Sequence, residues 1–261
     1  MKEVLLSLLV CVLLSCNYQV DKKEELKRAT LNENKPEMNK ADSVIHLSQT
    51  VHGSALIAKK NISFDFRDYK YELIRKDGKV IRKRTKTNKD GKMITDSWIE
   101  NRLERKINDI TTALDEEKQQ LYINSINAVF YFAFLPKSLT DPAVNATIID
   151  EVIIHAEPYY KLKVTFDEEG GGEDHDDVFL YWIHTEKGTM DYMAYQYFTE
   201  GGGMRFRKAM NPQKVQGILF QDYENYKPTN QNQQLVQLDS LFVENQLELV
   251  SVIEMKNIVV E

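Results

Sequence analysis

Val178-Phe179-Leu180-Tyr181-Trp182-Ile183 is apolar at every position. A half-buried strand alternates apolar and polar residues, because successive side chains point to opposite faces. A strand with no polar face belongs in the middle of a sheet, covered on both sides. Just upstream, Tyr160, Leu162, Val164 and Phe166 alternate with Lys161, Lys163 and Thr165, so that strand keeps one wet face. The period of two resumes downstream, with strands expected near 190–199, 203–208 and 217–226.

Towards the N-terminus the period changes. Val44, Leu47 and Val51 fall at helical spacing, so a helix is expected from Ala41 to about Gly53, with the glycine just past its end. Ile62, Phe64 and Phe66 then alternate with Ser63, Asp65 and Arg67. Asp77-Gly78 and Asp90-Gly91 each sit between strand-like runs and signal tight hairpins, giving a meander of about four strands over residues 62–107. A second helix is expected from Asp115 to about Asn127, its acidic first turn suited to the helix dipole. It leads into the apolar run Ala128–Leu135, stopped by Pro136, and a short helix is expected after it with Asp141 as N-cap and Pro142 at its first position. A helix near Gln234–Phe242 and a last strand, Leu247–Met255, follow. Strands lie before and after a central helix with no βαβ alternation, so the fold class is α+β with a large antiparallel sheet.

Composition bounds the function. Of 261 residues 42% are hydrophobic, enough for a real core, and the net charge of −6 argues against nucleic acid as a partner. The two cysteines, Cys11 and Cys16, both precede the expected domain, so no disulfide, thiol nucleophile or cysteine metal site is available inside it. The five histidines show no close metal spacing, and no Gly-x-Ser-x-Gly occurs, so no catalytic residue is named.

Three features remain as candidates. Aromatic residues crowd the central strands, and Tyr181, Trp182, Tyr192, Tyr195 and Tyr197, with Arg205 and Arg207, form a candidate ligand-binding set; the plain alternative is core packing. Asp167, Glu173, Asp174 and Asp176 form an acidic cluster that reads first as a solvated hairpin loop and second as a calcium site, since hard oxygen donors suit that ion. No other cofactor is expected. Glycine runs at 170–172 and 201–203 end aromatic strands and are expected as two loops on one rim, with the mouth of a pocket as the functional alternative. The cations Lys76, Lys79, Arg82, Lys83, Arg84, Lys86, Lys89 and Lys92 read as an exposed strand face, and second as attraction to anionic head groups.

The chain opens with Lys2, then an apolar run from Val4 to Leu14 too short to span a bilayer, then Leu13-Leu14-Ser15-Cys16. This resembles the lipobox of bacterial lipoproteins. The resemblance implies cleavage before Cys16, lipidation of its thiol and acylation of the new amino terminus, which together anchor a protein stably. Residues 1–15 are then a signal peptide, 16–40 a lipidated cysteine and polar tether, and 41–261 a single domain.

Over about residues 40–256 the chain resembles a family of bacterial lipoproteins with no established activity. The likeness rests on Asn61–Asp68, on Phe134-Leu135-Pro136 with Asp141-Pro142-Ala143-Val144, on Phe166 through Trp182, and on Gly201-Gly202-Gly203 with Arg205-Phe206-Arg207. The order of elements is similar to the LolA/LolB-like and LppX-like lipoprotein carriers. That similarity implies a half-barrel of antiparallel strands closed by helices over an apolar cavity. The expectation is therefore a monomeric outer-membrane lipoprotein that binds an apolar or amphiphilic small molecule or lipid. A structural or interaction subunit of an envelope complex is the alternative, and an enzyme the third reading.

Overall fold

The computed structural model describes residues 39–171, 176–198, 201–230 and 232–261. The lipobox with Cys16, most of the tether, and Glu173 and Asp174 of the acidic cluster lie outside the described residues. Lys40–Glu261 form one compact unit.

Among the described residues fourteen strands form two seven-stranded antiparallel sheets. The first contains β1 (Ile62–Phe66), β2 (Tyr69–Lys76), β3 (Lys79–Thr87), β4 (Met93–Ile99), β5 (Arg102–Ile107) and β6 (Ile110–Thr112) in sequence order. Its first two turns differ in kind. Asp77-Gly78 takes positive φ at both residues, 51° and 74°, the turn that matches strand twist. Arg67 makes the β1–β2 turn at φ 53° without a glycine, and Glu100, Asn108 and Asp109 behave likewise. Turns of that sort carry no glycine signal, which is why residues 62–107 hold five strands where about four were expected, with a sixth just beyond.

The second sheet is built from β7 (Val144–Ile154), β8 (Glu157–Phe166), β9 (Val178–His184), β10 (Met190–Tyr197), β11 (Gly203–Val215), β12 (Ile218–Pro228) and β13 (Leu247–Ile253). The last strand does not stop where expected. After a break at Glu254-Met255 the chain continues as β14 (Lys256–Val260), which pairs with β1 in the first sheet. Asp222 fixes the break: its carboxylate accepts from the Met255 backbone N–H at 2.9 Å and from Asn211 Nδ2 at 3.2 Å. One stretch of chain thus edges both sheets.

Helices line the inside and cover part of the outside. On the inner face of the second sheet, Val44 and Ile45 of α1 (Lys40–His52) pack with Leu162, Val164, Tyr181 and Ile183. A short α2 (Ser54–Ile57) follows Gly53, whose φ of 70° turns the chain. The inner face of the first sheet receives α3 (Glu116–Ala133), through Ile126 and Phe130 against Phe64, Tyr71, Leu73 and Leu103. Asp115 caps it by accepting from Lys118 N–H at 2.8 Å. The helix outruns the expected end because Ala128–Ala133 continues its apolar face. Beyond a single turn, α4 (Glu168–Gly171), and strands β9 to β12, α5 (Leu238–Val243) covers the outer face of the second sheet. There Leu238 and Phe242 meet Leu180, Trp182, Tyr192 and Phe206. β9 is accordingly central, with Tyr181 and Ile183 on the inner core and Leu180 and Trp182 on the outer one.

The expectation for Asp141-Pro142 needs correction. A 3₁₀ turn spans Lys137–Thr140 instead, and the Asp141 carbonyl accepts from Val144 N–H at 2.9 Å, closing a turn that launches β7. Pro142 occupies the second position of that turn, where its fixed φ fits as well as it would at a helix start.

Candidate ligand-binding site

α3 lies between the two sheets but does not fill the space. On one flank is a cavity of about 520 Å³. Its apolar wall comes from Ile57, Leu73, Phe130, Tyr131, Phe134 and Phe166, and Arg75, Arg82 and Lys137 also line it, with Asp141 as its one carboxylate. On the other flank a smaller cavity of about 200 Å³ is bounded by Phe64, Phe66, Val129, Phe132 and Met255, with Arg67 and Arg207.

The arginines reach the inside through strand parity. On β3, Val80, Arg82 and Arg84 share the inner face, while Lys79 and Lys83 point outward to Glu100 and Glu72 at 3.3 and 2.9 Å. The cationic run is therefore not one exposed face. Arg84 is buried and donates to Asp96 at 2.9 Å and to Ser125 of α3 at 2.8 Å. Arg105 donates to the same carboxylate at 2.6 and 2.8 Å and lies over the Tyr122 ring at 3.8 Å. Burial alone would raise the Asp96 carboxyl, but the hydrogen bonds from Arg105 and Arg84 outweigh it and hold it below the usual range.

The two cavity arginines differ. Arg75 donates to the carbonyls of Ile57 at 2.6 Å, Ala58 at 2.8 Å and Lys60, closing the C-terminal end of α2. Arg82 lies over the face of Trp98, 4.6 Å from its centre, and has no hydrogen-bond or ion-pair partner among the described residues. Burial, and then the neighbouring charge of Arg75, lower its pKa.

The residues singled out in the sequence do not share one place. Tyr181 and Tyr195 face the inside: the Tyr181 hydroxyl lies 2.9 Å from that of Tyr131, and Tyr195 accepts from Arg207 at 3.0 Å. Burial pushes the Tyr131 phenol up to about 12. Arg207 lines the smaller cavity over the Phe132 ring, and its Nε is buried without an acceptor. Trp182 and Tyr192 face outward under α5, where the indole N–H donates to Asp239 at 3.1 Å and Lys161 donates to the same oxygen at 2.8 Å. Tyr197 and Arg205 stack at 5.3 Å near the rim. That rim carries both glycine-run hairpins, since the β8–β9 and β10–β11 connections fall at the same end of an antiparallel sheet. Asp167 is exposed and accepts from Asn145 at 2.7 Å, and Asp176 is exposed as well. Among the described residues no three His, Cys, Asp or Glu side chains are grouped to hold a metal ion. Sequence reading missed Phe130, Phe134 and the inward direction of Arg82. Strand alternation puts Arg82 and Arg84 on one face of β3, but only the pairing with β2 shows that this face points inward.

No curated protein matches the chain in sequence. Its structure is similar to a LolA superfamily protein from Nitrosomonas europaea, with TM-score 0.44 and 11% identity over 84% of this chain and 92% of that one. A DUF1329 family protein from Desulfovibrio piger gives 0.39 and 9% over 84% and 92%. Lipoprotein LppX of Mycobacterium tuberculosis gives 0.29 and 10% over 60% and 89%. Residues 2–255 match the family DUF6503, described as a family of unknown function, and the chain belongs to it.

Proposed function

We propose that this protein is a lipid-anchored component of the bacterial cell envelope that binds an apolar or amphiphilic ligand beside α3. The observation that carries the reading is the cavity of about 520 Å³ between sheets and helices. Pockets that enclose small ligands run from roughly 300 to 1,000 Å³, mostly apolar with a few placed polar groups. The space is a half-open cleft, so a ligand can enter it from solvent. Anchoring through Cys16 is supported by the leader and lipobox-like sequence. Among the described residues no helix is long and apolar enough to cross a membrane. A second reading, an interaction subunit, draws on Val250 and Val252 of β13 and Val259 of β14, which are exposed by 46–50%.

The test is native mass spectrometry of the Cys16→Ser protein purified from its own envelope fraction. A bound mass of lipid size, released by organic solvent, supports the ligand reading. A bare protein mass together with one stoichiometric partner in crosslinked envelopes overturns it in favour of the interaction subunit.

A further inference from the structure

We infer that the larger cavity selects a single-chain amphiphile with an anionic head group, the head held by Arg82 and the chain lying along Phe130, Phe134 and Phe166. This rests on the cavity being a ligand site and names the class of ligand it takes.

The first argument is charge. Arg75, Arg82 and Lys137 line the cavity against the single carboxylate of Asp141, which is exposed at its edge. Arg75 and Arg82 stand on the same face of neighbouring strands, with Arg82 opposite Leu73 and Arg75 opposite Val80. Two like charges so placed repel, and the repulsion falls when an anion enters between them.

The second argument is a contrast within one strand. Arg84 lies two residues from Arg82 on the same inner face, where α3 closes down on the sheet, and it has Asp96, Ser125 and the Tyr69 ring as partners. The fold therefore pairs its inner-face arginine where the space is filled. At the cavity it leaves Arg82 with an aromatic ring on one face and no acceptor among the described residues. A guanidinium carries five N–H donors in a fork that fits carboxylate or phosphate oxygens. A half-buried cation without an anion is costly to keep. An acceptor supplied by a ligand removes that cost.

The third argument is shape. Ile57, Leu73, Phe130, Phe134 and Phe166 form the apolar part of the wall, beside the polar side chains of Asn127, Tyr131 and Ser138, and a free inorganic anion would leave that apolar part uncovered. One aliphatic chain meets that wall. The volume suits one chain with its head, and a two-chain lipid would have to leave part of itself outside.

The experiment uses the delipidated Cys16→Ser protein and displacement of an environment-sensitive apolar fluorophore. Hexadecanoate, hexadecanol and hexadecyltrimethylammonium are the competitors. Hexadecanoate is expected to bind at least about tenfold tighter than hexadecanol, the scale of one charge-assisted hydrogen-bonded pair, with the cationic amphiphile weakest. Arg82→Gln abolishes the preference for hexadecanoate over hexadecanol, and its circular dichroism and thermal melt report that the variant is folded. Arg82→Lys retains part of the preference. Equal binding of hexadecanoate and hexadecanol by the unsubstituted protein, or a preference that survives Arg82→Gln, overturns the head-group inference while the cavity reading stands. Failure of all three to displace the fluorophore overturns both.

Discussion

His52 sits at the end of α1 with 2% of its surface exposed, and its Nε2 accepts from the Met190 backbone N–H at 3.1 Å. Burial lowers its pKa to about 4, well under the ordinary value near 6.5. The unfolded chain therefore takes up a proton as pH falls below about 6.5 while the folded one does not, and stability must fall through that window. The loss reaches about 3 kcal/mol by pH 4, from the size of the shift. Urea unfolding at stepped pH is expected to show this slope, and His52→Gln, which can still accept from Met190, flattens it. Asp96 acts on the acid side of the same range. Its carboxyl lies below the usual value, so its contribution is complete above about pH 4 and is lost only as pH falls through the lower folded value. Neither role was readable from the sequence. A histidine in a helical pattern and an aspartate in a strand look the same whether buried or not. The crowded cations are a similar case, since only the partner strands decide which parity of β3 faces inward.

Elements were more legible, and the reasons differ from one to the next. β9 could be placed because an all-apolar strand has only one stable location. The hairpin at Asp77-Gly78 could be placed because its glycine is needed for the turn. The turns at Arg67 and Glu100 could not, because ordinary residues took up positive φ there under tertiary constraint. The run past Asn127 reads in the sequence only as an apolar stretch stopped by Pro136, and its packing against Phe64 and Tyr71 shows it as helix. Two glycines offer a test of what such turns require. At Gly53, φ is 70° and a Cβ would collide with the Gly217 carbonyl oxygen, whereas at Gly78, φ is 74° and a Cβ would meet nothing within 4 Å. Gly78→Ala is expected to cost about 1 kcal/mol, the strain of the left-handed backbone alone. Gly53→Ala is expected to cost more than that, with the helix pair α1–α2 displaced from the β11–β12 turn. Thermal unfolding of the two variants side by side checks the order, and an equal loss in both would mean that the Gly53 contact yields freely.

Across the whole molecule, the α+β class and the antiparallel wall followed from local periodicity. The division into two sheets did not, because it depends on one bend at Glu254-Met255 held by Asp222 from a distant strand. The cavity was still less visible, since a void is a property of how large side chains fail to meet. The aromatic residues near Tyr181 drew attention by their number, yet Trp182 and Tyr192 are packed under α5 and the cavity walls come largely from α3 and the first sheet. Because α3 borders both cavities, its backbone should respond most to filling them. Hydrogen exchange of the Cys16→Ser protein with saturating hexadecanoate is expected to slow at the amides of Glu116–Ala133 and to change little in α5. Uniform slowing across the chain would instead indicate general stabilisation without a site at α3.

The pairing of β1 with β14 sets Ile62 against Val260, near opposite ends of the described chain. A ribosome makes β14 after every other strand described here, and an exported chain passes through its translocation channel in the same direction if the N-terminus leads. The first sheet has β1 as a bare edge until that strand arrives, and the second lacks β13 for nearly as long. Neither sheet can be completed before β13 and β14 have been made. An unpaired strand edge invites pairing with other chains, so β1 is open to such pairing until its partner strand is delivered. Loss of β14 would make that exposure permanent.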